Sequence, residues 1–152
     1  CCVPAALVAP LPAAVDFAAG ACLGIPAMTA HQALLSRGSI AGQTVLVTGG
    51  AGAVGQCAIQ MAKWGGARVI ATASSADKAA LAREAGADEA IDYRREDVAA
   101  RVLTLTGGAG VDRIVEVDFG ANLPATVAAL KPNGVVAAYA SMSAPTPALP
   151  FY

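Results

Sequence analysis

Short apolar runs rich in β-branched residues alternate along this chain with segments whose apolar positions recur at helical spacing. Thr44–Thr48 reads as a buried strand, and Val54–Trp64 as a helix with Val54, Cys57, Ala58, Met61 and Ala62 on one face, ended by Gly65-Gly66. Arg68–Ala73 is the next strand, Asp77–Ala85 a short helix closed by Gly86, and Glu89–Asp92 a brief strand. Glu96–Thr106 is helical, Val111–Val117 a strand, Leu123–Leu130 a helix and Val135–Tyr139 the fifth strand. Strands separated by short helices specify an α/β fold with a parallel sheet and helices on both faces. Right-handed crossovers favour a doubly wound Rossmann arrangement of about five strands in the order 3-2-1-4-5.

The first residues do not join this rhythm. Ala13–Ala19 and Ala27–Leu35 read as two helices, the second entered through Pro26 and closed near Gly38. Residues 1–38 are therefore expected to be a helical lead-in from a further domain, 39–142 the Rossmann domain, and 143–152 an extended tail carrying Pro145, Pro147 and Pro150. A doubly wound dinucleotide domain usually has a sixth strand, and the pattern leaves none after Tyr139, so the chain is expected to be cut after its fifth strand, with the fifth strand an uncovered edge. No repeat of solenoid length is present.

The chain has 152 residues, with 56% hydrophobic, 5% aromatic and 14% charged positions. A core of small and branched aliphatics follows, and disorder, collagen and a disulfide scaffold are excluded. A formal net charge of −1 argues against nucleic acid as a partner. Pro4, Pro10, Pro12, Asp16 and Pro26 interrupt the apolar N-terminal stretch, which falls short of the roughly 18 uninterrupted apolar residues of a membrane span. It also lacks the basic start of a signal peptide. Cys1, Cys2, Cys22 and Cys57 form no CxxC pair, and His31 is the only histidine, so no metal site is expected. Free thiols in a reducing cytoplasm and a partly buried, non-catalytic His31 are the readings that follow.

Gly50-Ala51-Gly52-Ala53-Val54-Gly55 is a GxGxxG that follows a strand and opens a helix. In that context Gly50 permits the tight turn, Gly52 lets a pyrophosphate approach the backbone, and Gly55 lets the helix pack on the strand. The helix N-terminus offers unpaired N–H groups to the phosphates. Gly107-Gly108-Ala109-Gly110 repeats the letters of Gly49–Gly52 but precedes a strand, so it reads as a plain loop.

An NAD site usually carries Asp or Glu at the end of the second strand, bonded to the ribose hydroxyls. Here that place holds Ala73-Ser74-Ser75, followed by Lys78, while Tyr93 and Arg94 follow the neighbouring third strand. Serine hydroxyls, a lysine ammonium and a tyrosine hydroxyl suit a 2′-phosphate, which favours NADPH over NADH. The opposing readings are a solvated Lys78 and an Asp77 that pairs with the ribose.

Gly24–His31 with its Gly-Ile-Pro-x-x-Thr core, Thr44–Gly55, Ser74–Lys78 and Glu116–Leu123 stand in an order and spacing that resembles the medium-chain dehydrogenase/reductase superfamily, in its zeta-crystallin-like NADPH:quinone oxidoreductase branch. The resemblance spans nearly the whole chain but only the cofactor half of such proteins. It implies that Ala51, Gly52, Ala53 and Val54 hold the pyrophosphate, that Ser74, Lys78 and Tyr93 surround the 2′-phosphate, and that Asn122 lies near the cofactor. It further implies that Tyr139-Ala140-Ser141 lies beside the nicotinamide ribose and Thr29 near the nicotinamide. An N-cap for the following helix is the alternative role for Asn122. Zinc-dependent relatives carry a cysteine where this chain has Ile25, so the resemblance implies a zinc-independent protein. Val117-Asp118-Phe119-Gly120 departs from the Asp-Ser-Val-Gly of many quinone reductases.

The function these implications give is an NADPH-binding domain of an oxidoreductase that passes hydride to a quinone or conjugated carbonyl, cytoplasmic and homodimeric as a whole protein. No catalytic residue is named, and the domain alone is expected to be inactive. A non-catalytic NADPH sensor or a crystallin-like structural protein is one alternative. A short-chain reductase or epimerase is another, although Tyr93 and Tyr139 are followed four residues on by Asp97 and Ser143 rather than by lysine.

Overall fold

In a computed structural model, which describes residues 2–149, the apolar runs become five strands, of which the three central ones are largely buried on both faces. They are β1 (Thr44–Val47), β2 (Arg68–Ala73), β3 (Glu89–Asp92), β4 (Val111–Glu116) and β5 (Leu130–Ala138). All neighbouring strands pair in parallel, in the order β3-β2-β1-β4-β5. Val45, Val47, Val69, Ala71 and Val115 point to one face, where they meet helices α1 (Phe17–Leu35), α2 (Ala53–Trp64) and α3 (Ala76–Glu84). Leu46, Ile70, Ile91 and Ile114 point to the other, towards α4 (Val98–Leu105) and α5 (Phe119–Ala129). Alanines supply much of the helical side of both clusters, which lets the helices approach a sheet that has few aromatics to fill space.

Several boundaries differ from expectation. The helices expected over 13–19 and 27–35 are one helix, α1, with Pro26 inside it and Asp16 as N-cap, its carboxylate accepting from Ala19 N–H at 2.7 Å. Pro26 removes one backbone bond, and the residues that bury α1 against the sheet and α2, Ala30, Ala33 and Leu34, all follow it. His31 lies outside that buried stripe and is exposed rather than partly buried. A single 3-10 turn at Ala5–Leu7 precedes α1. α5 begins at Phe119, four residues earlier than expected. β5 begins at Leu130, crossing Pro132 and a left-handed Asn133 (φ 63°) through a register shift, which an edge strand tolerates.

Two side-chain anchors fix the sheet to its surroundings. Asp112 accepts from Thr44 N–H at 2.7 Å and from Lys131 Nζ at 2.8 Å; Asp88 accepts from Val69 N–H and Lys63 Nζ, both at 2.7 Å. Burial alone would raise both carboxyls, but these hydrogen bonds and the adjacent cations hold each below its usual value. Arg113, only 4% exposed, donates from Nη1 to the Ala33 carbonyl at 2.9 Å and so satisfies the last turn of α1. Burial lowers its pKa, and the charge of Arg37 adds to this.

Residues 141–149 form no helix or strand. Pro150, Tyr152 and Cys1 lie outside the described residues. Cys2, Cys22 and Cys57 are free thiols. Among the described residues, no helix is long and apolar enough to cross a membrane.

Candidate functional site

The turn from β1 into α2 sits at the C-terminal edge of the sheet. Its left-handed residue is Gly49, with φ 65°. Gly50 has a different reason to be glycine: a Cβ there would lie 2.8 Å from the Cβ of Ala71, so the turn can lie on β2 only without one. Gly50 N–H then donates to the Thr72 carbonyl at 2.8 Å, and Gly49 N–H to Thr72 Oγ1 at 3.1 Å. A Cβ on Gly55 would collide with the Gly49 carbonyl oxygen, which gives Gly55 the close-packing role expected for it. Gly52 is the N-cap of α2 and offers no capping side chain, so the first-turn N–H groups at Ala53 and Val54 remain open to a ligand. Gln56 braces the turn by donating from Nε2 to the Ala51 carbonyl at 3.2 Å.

Outside this turn lies a cleft of about 300 Å³, walled by Ala51 and Gly52 on one side and by Ser74, Lys78 and Tyr93 on the other. No Asp or Glu lines it. Ser75 is occupied as the N-cap of α3, its Oγ accepting from Lys78 N–H at 3.4 Å. Lys78 is exposed and makes no ion pair among the described residues. Tyr93 is half exposed, and its N–H donates to the Ala73 carbonyl at 3.1 Å, which brings the end of β3 beside the end of β2. Asp77 is exposed in the first turn of α3 and does not line the cleft.

A second, more apolar cleft of about 480 Å³ adjoins the first, sharing Gly49, Thr72, Tyr93 and Val117, and runs between α4 and α5 as far as Ala140 and Met142. Its floor rests on Glu116, a carboxylate with 0% exposure at the end of β4. Glu116 Oε1 accepts from Asp118 N–H at 2.7 Å, Asn122 Nδ2 at 2.7 Å and Thr48 Oγ1 at 3.1 Å, while Oε2 accepts from Thr126 Oγ1 at 3.2 Å. These bonds replace the water a buried carboxylate would otherwise need. Asn122 is not an N-cap: Asp118 occupies that position, and Asn122 lies inside α5 with its N–H bonded to the Asp118 carbonyl.

The loop after β5 is tied to the start of α5. Phe119 N–H donates to the Ala140 carbonyl at 3.0 Å, Gly120 N–H to Ser141 Oγ at 2.9 Å, and Ser143 Oγ to Asp118. Ser141 Oγ is also used as donor to the Ala144 carbonyl. Thr29 and Tyr139 line a separate groove between α1 and β5 and do not join either cleft. Burial pushes the Tyr139 phenol up to about 12, and the charge of Glu116 adds to the shift.

The sequence-predicted residues thus fall into groups. Ala51, Gly52, Ser74, Lys78 and Tyr93 share one cleft; Asn122 and Ala140 line its neighbour; Gly50, Ala53, Val54 and Gly55 build the turn behind them; Thr29 and Tyr139 stand apart. Gly49, Thr72, Gln56 and Glu116 were missed as parts of the site. Gly49 had a signal in the Gly-Gly pair; Thr72 and Glu116 act through long-range contacts, and Gln56 through a bond to Ala51 five residues away.

The zinc-binding dehydrogenase family matches residues 53–152. A quinone oxidoreductase of Rattus norvegicus is 39% identical over 115 residues, covering 75% of this chain and 35% of that protein. A mycobacterial protein solved in complex with NADPH superposes with a TM-score of 0.89 at 37% identity, over 97% of this chain and 46% of its own. The Escherichia coli quinone oxidoreductase, also solved with NADPH, superposes with a TM-score of 0.78 at 33% identity, over 84% of this chain and 40% of its own. The chain therefore spans well under two thirds of the length of these relatives.

Proposed function

Since the chain belongs to the zinc-binding dehydrogenase family, within the medium-chain dehydrogenase/reductase superfamily and similar to its quinone oxidoreductases, we propose that it is the NADPH-holding part of an oxidoreductase acting on quinones or conjugated carbonyls. The observation that carries this is the cleft at the glycine turn, which joins an uncapped helix N-terminus to a serine, a free lysine and a tyrosine without any carboxylate. Those donors fit a dinucleotide with a 2′-phosphate. The open N–H groups of Ala53 and Val54 suit the pyrophosphate, and Ser74, Lys78 and Tyr93 suit the 2′-phosphate. The adjoining apolar cleft beside Tyr93 and Val117 suits the adenine base.

When bound, NADPH supplies hydride. The chain's own work is to bind and orient it. Ala140 and Ser141 lie on the loop tied to α5 and extend the site towards the nicotinamide end, where Thr29 and Tyr139 line the facing groove. Ile25 offers no donor to a metal at the position where zinc-dependent relatives have cysteine, which supports a zinc-independent reaction. The whole protein would carry the substrate-binding part in a further domain preceding residues 39–142, act as a homodimer and reside in the cytoplasm.

The test is calorimetric titration with NADPH and NADH, on the chain and on Lys78→Ala. Tighter binding of NADPH, by about tenfold or more for a charge-assisted pair, and loss of that margin in Lys78→Ala are expected. Equal affinity for both nucleotides would remove the 2′-phosphate assignment, and failure to bind either would remove the cofactor reading.

A further inference from the structure

We propose that the groove between α1 and β5 is an anion site, in which Arg113, helped by Arg37, holds the carboxylate of a small organic acid with an apolar body. The site lies apart from both clefts at the glycine turn, and it stands whether or not a dinucleotide binds there.

Arg113 is an unexpected residue for its place. It stands in β4 beside the fully buried Ile114 and Val115, and its register partner on β5 is Val135, which lines the groove. A guanidinium has five N–H donors and a fixed positive charge. One donor, on Nη1, meets the Ala33 carbonyl at 2.9 Å, while Nε is buried with no acceptor. Every other buried side-chain nitrogen or oxygen among the described residues has a partner. The charge is also unanswered. The ion pairs among the described residues use Lys63, Arg95, Arg101 and Lys131, and no Asp or Glu lines the groove. The neighbouring charge that bears on Arg113 is Arg37, of the same sign, which adds to burial in lowering its pKa. A charge taken out of water without a partner is costly. Water can satisfy an N–H group, but it cannot neutralise two like charges; an anion entering the groove does both.

The groove selects the kind of anion. It holds about 480 Å³, room for a small molecule, and its exposed side carries Gln32, Ser36 and Arg37. Met28, Val135 and Ala137 supply apolar wall. A guanidinium with one nitrogen already committed to Ala33 suits a planar monoanion better than a dianion that needs donors on every side. The apolar wall suits a hydrocarbon body, which inorganic phosphate lacks.

The experiment titrates the isotopically labelled chain with benzoate, benzamide and inorganic phosphate at fixed ionic strength, followed through backbone amide resonances. Benzamide keeps the shape of benzoate without its charge. Benzoate should give saturable shifts at Ala33–Arg37, Arg113 and Val135–Ala137. Benzamide should bind more weakly by about tenfold or more, the scale of a charge-assisted hydrogen bond, and phosphate more weakly than benzoate. Arg37→Ala, on the surface, should weaken benzoate by about two- to fivefold, the scale of an exposed charge. Arg113→Gln should bring benzoate and benzamide to about equal affinity, a ratio that loss of the bond to Ala33 alone would not move. If that variant fails to fold, the benzamide comparison and Arg37→Ala still decide. Equal binding of benzoate and benzamide by the unaltered chain, no saturable shift in the groove, or unchanged benzoate affinity in Arg37→Ala overturns the proposal. Phosphate binding as tightly as benzoate overturns the carboxylate assignment.

Discussion

Glycine-to-alanine changes at two helical positions should move stability in opposite directions. At Gly24, inside α1, an added Cβ meets nothing within 4 Å. Alanine there reduces the freedom of the unfolded chain without disturbing a neighbour, a gain of about 0.5–1 kcal/mol. At Gly55, in the first turn of α2, the same gain of about 0.5–1 kcal/mol applies. Against it, the Cβ would collide with the Gly49 carbonyl oxygen and lie 2.9 Å from Gly50 Cα. Carbon atoms rest at about 3.5–4.0 Å, so α2 and the turn must part by roughly an ångström. Both neighbours are backbone and cannot rotate aside, which puts the strain near the top of the roughly 1–3 kcal/mol range for overpacking. The net expectation is a loss of about 2 kcal/mol for Gly55→Ala. For a chain of this size the melting temperature moves by about 2–4 °C per kcal/mol. Gly24→Ala should therefore rise by a few degrees and Gly55→Ala fall by about 4–8 °C, with urea midpoints following and m-values unchanged. A neutral or stabilising Gly55→Ala would refute the packing of α2 on the turn, and a destabilising Gly24→Ala would refute the open face of α1.

Other expectations follow from single groups. Asp88 and Asp112 have carboxyls held below their ordinary values, so their contribution to stability is complete above about pH 4 and is lost as the pH falls through the lowered values. Urea midpoints should drop on that acid side, and Asp88→Asn with Asp112→Asn should flatten the drop; an unchanged profile would contradict the anchors. The Tyr139 phenol, raised to about 12, contributes stability that is complete below about pH 10 and is lost as the pH rises through its folded value. Phenolate absorbance should show a step at that raised value, and Tyr139→Phe should remove it. Thr72→Val leaves Gly49 N–H without its partner and should cost about 1–3 kcal/mol in urea unfolding while weakening NADPH binding. Unchanged affinity would mean that the turn does not depend on that hydroxyl.

The strands were legible because β1, β2 and β4 bury both faces and are rich in Val, Ile and Thr, and their alternation with helices led to the observed strand order. The glycine turn was legible from its place between a strand and a helix. Contacts between distant residues were not. Pro26 is a local breaker, yet α1 runs through it; Ala30, Ala33 and Leu34, held by the sheet and α2, anchor the half that follows the proline. Asn122 is a residue type common at N-caps, yet Asp118 takes that position and the Asn122 N–H bonds the Asp118 carbonyl inside α5. In the Gly49-Gly50 pair the letters do not say which residue turns left-handed: Gly49 does, whereas Gly50 lacks a Cβ because Ala71 lies against it. Lys131-Pro132-Asn133-Gly134 has turn composition, and it enters β5 because an edge strand can absorb an irregular step. Within the site, the sequence names Ala51, Gly52, Ser74, Lys78 and Tyr93, which line the cleft at the glycine turn, whereas Thr72, which lines both clefts, and Gln56 and Glu116 behind them act through bonds the pattern does not show.

The most direct test of the cofactor assignment is a titration of the isotopically labelled chain with NADPH, followed through its backbone amide resonances. The account predicts the largest shifts at Gly49–Val54, at Ser74–Lys78 and at Tyr93, with Asn122 moving as the base enters its cleft. Shifts confined to the groove between α1 and β5, or an unchanged spectrum at saturating nucleotide, would contradict it.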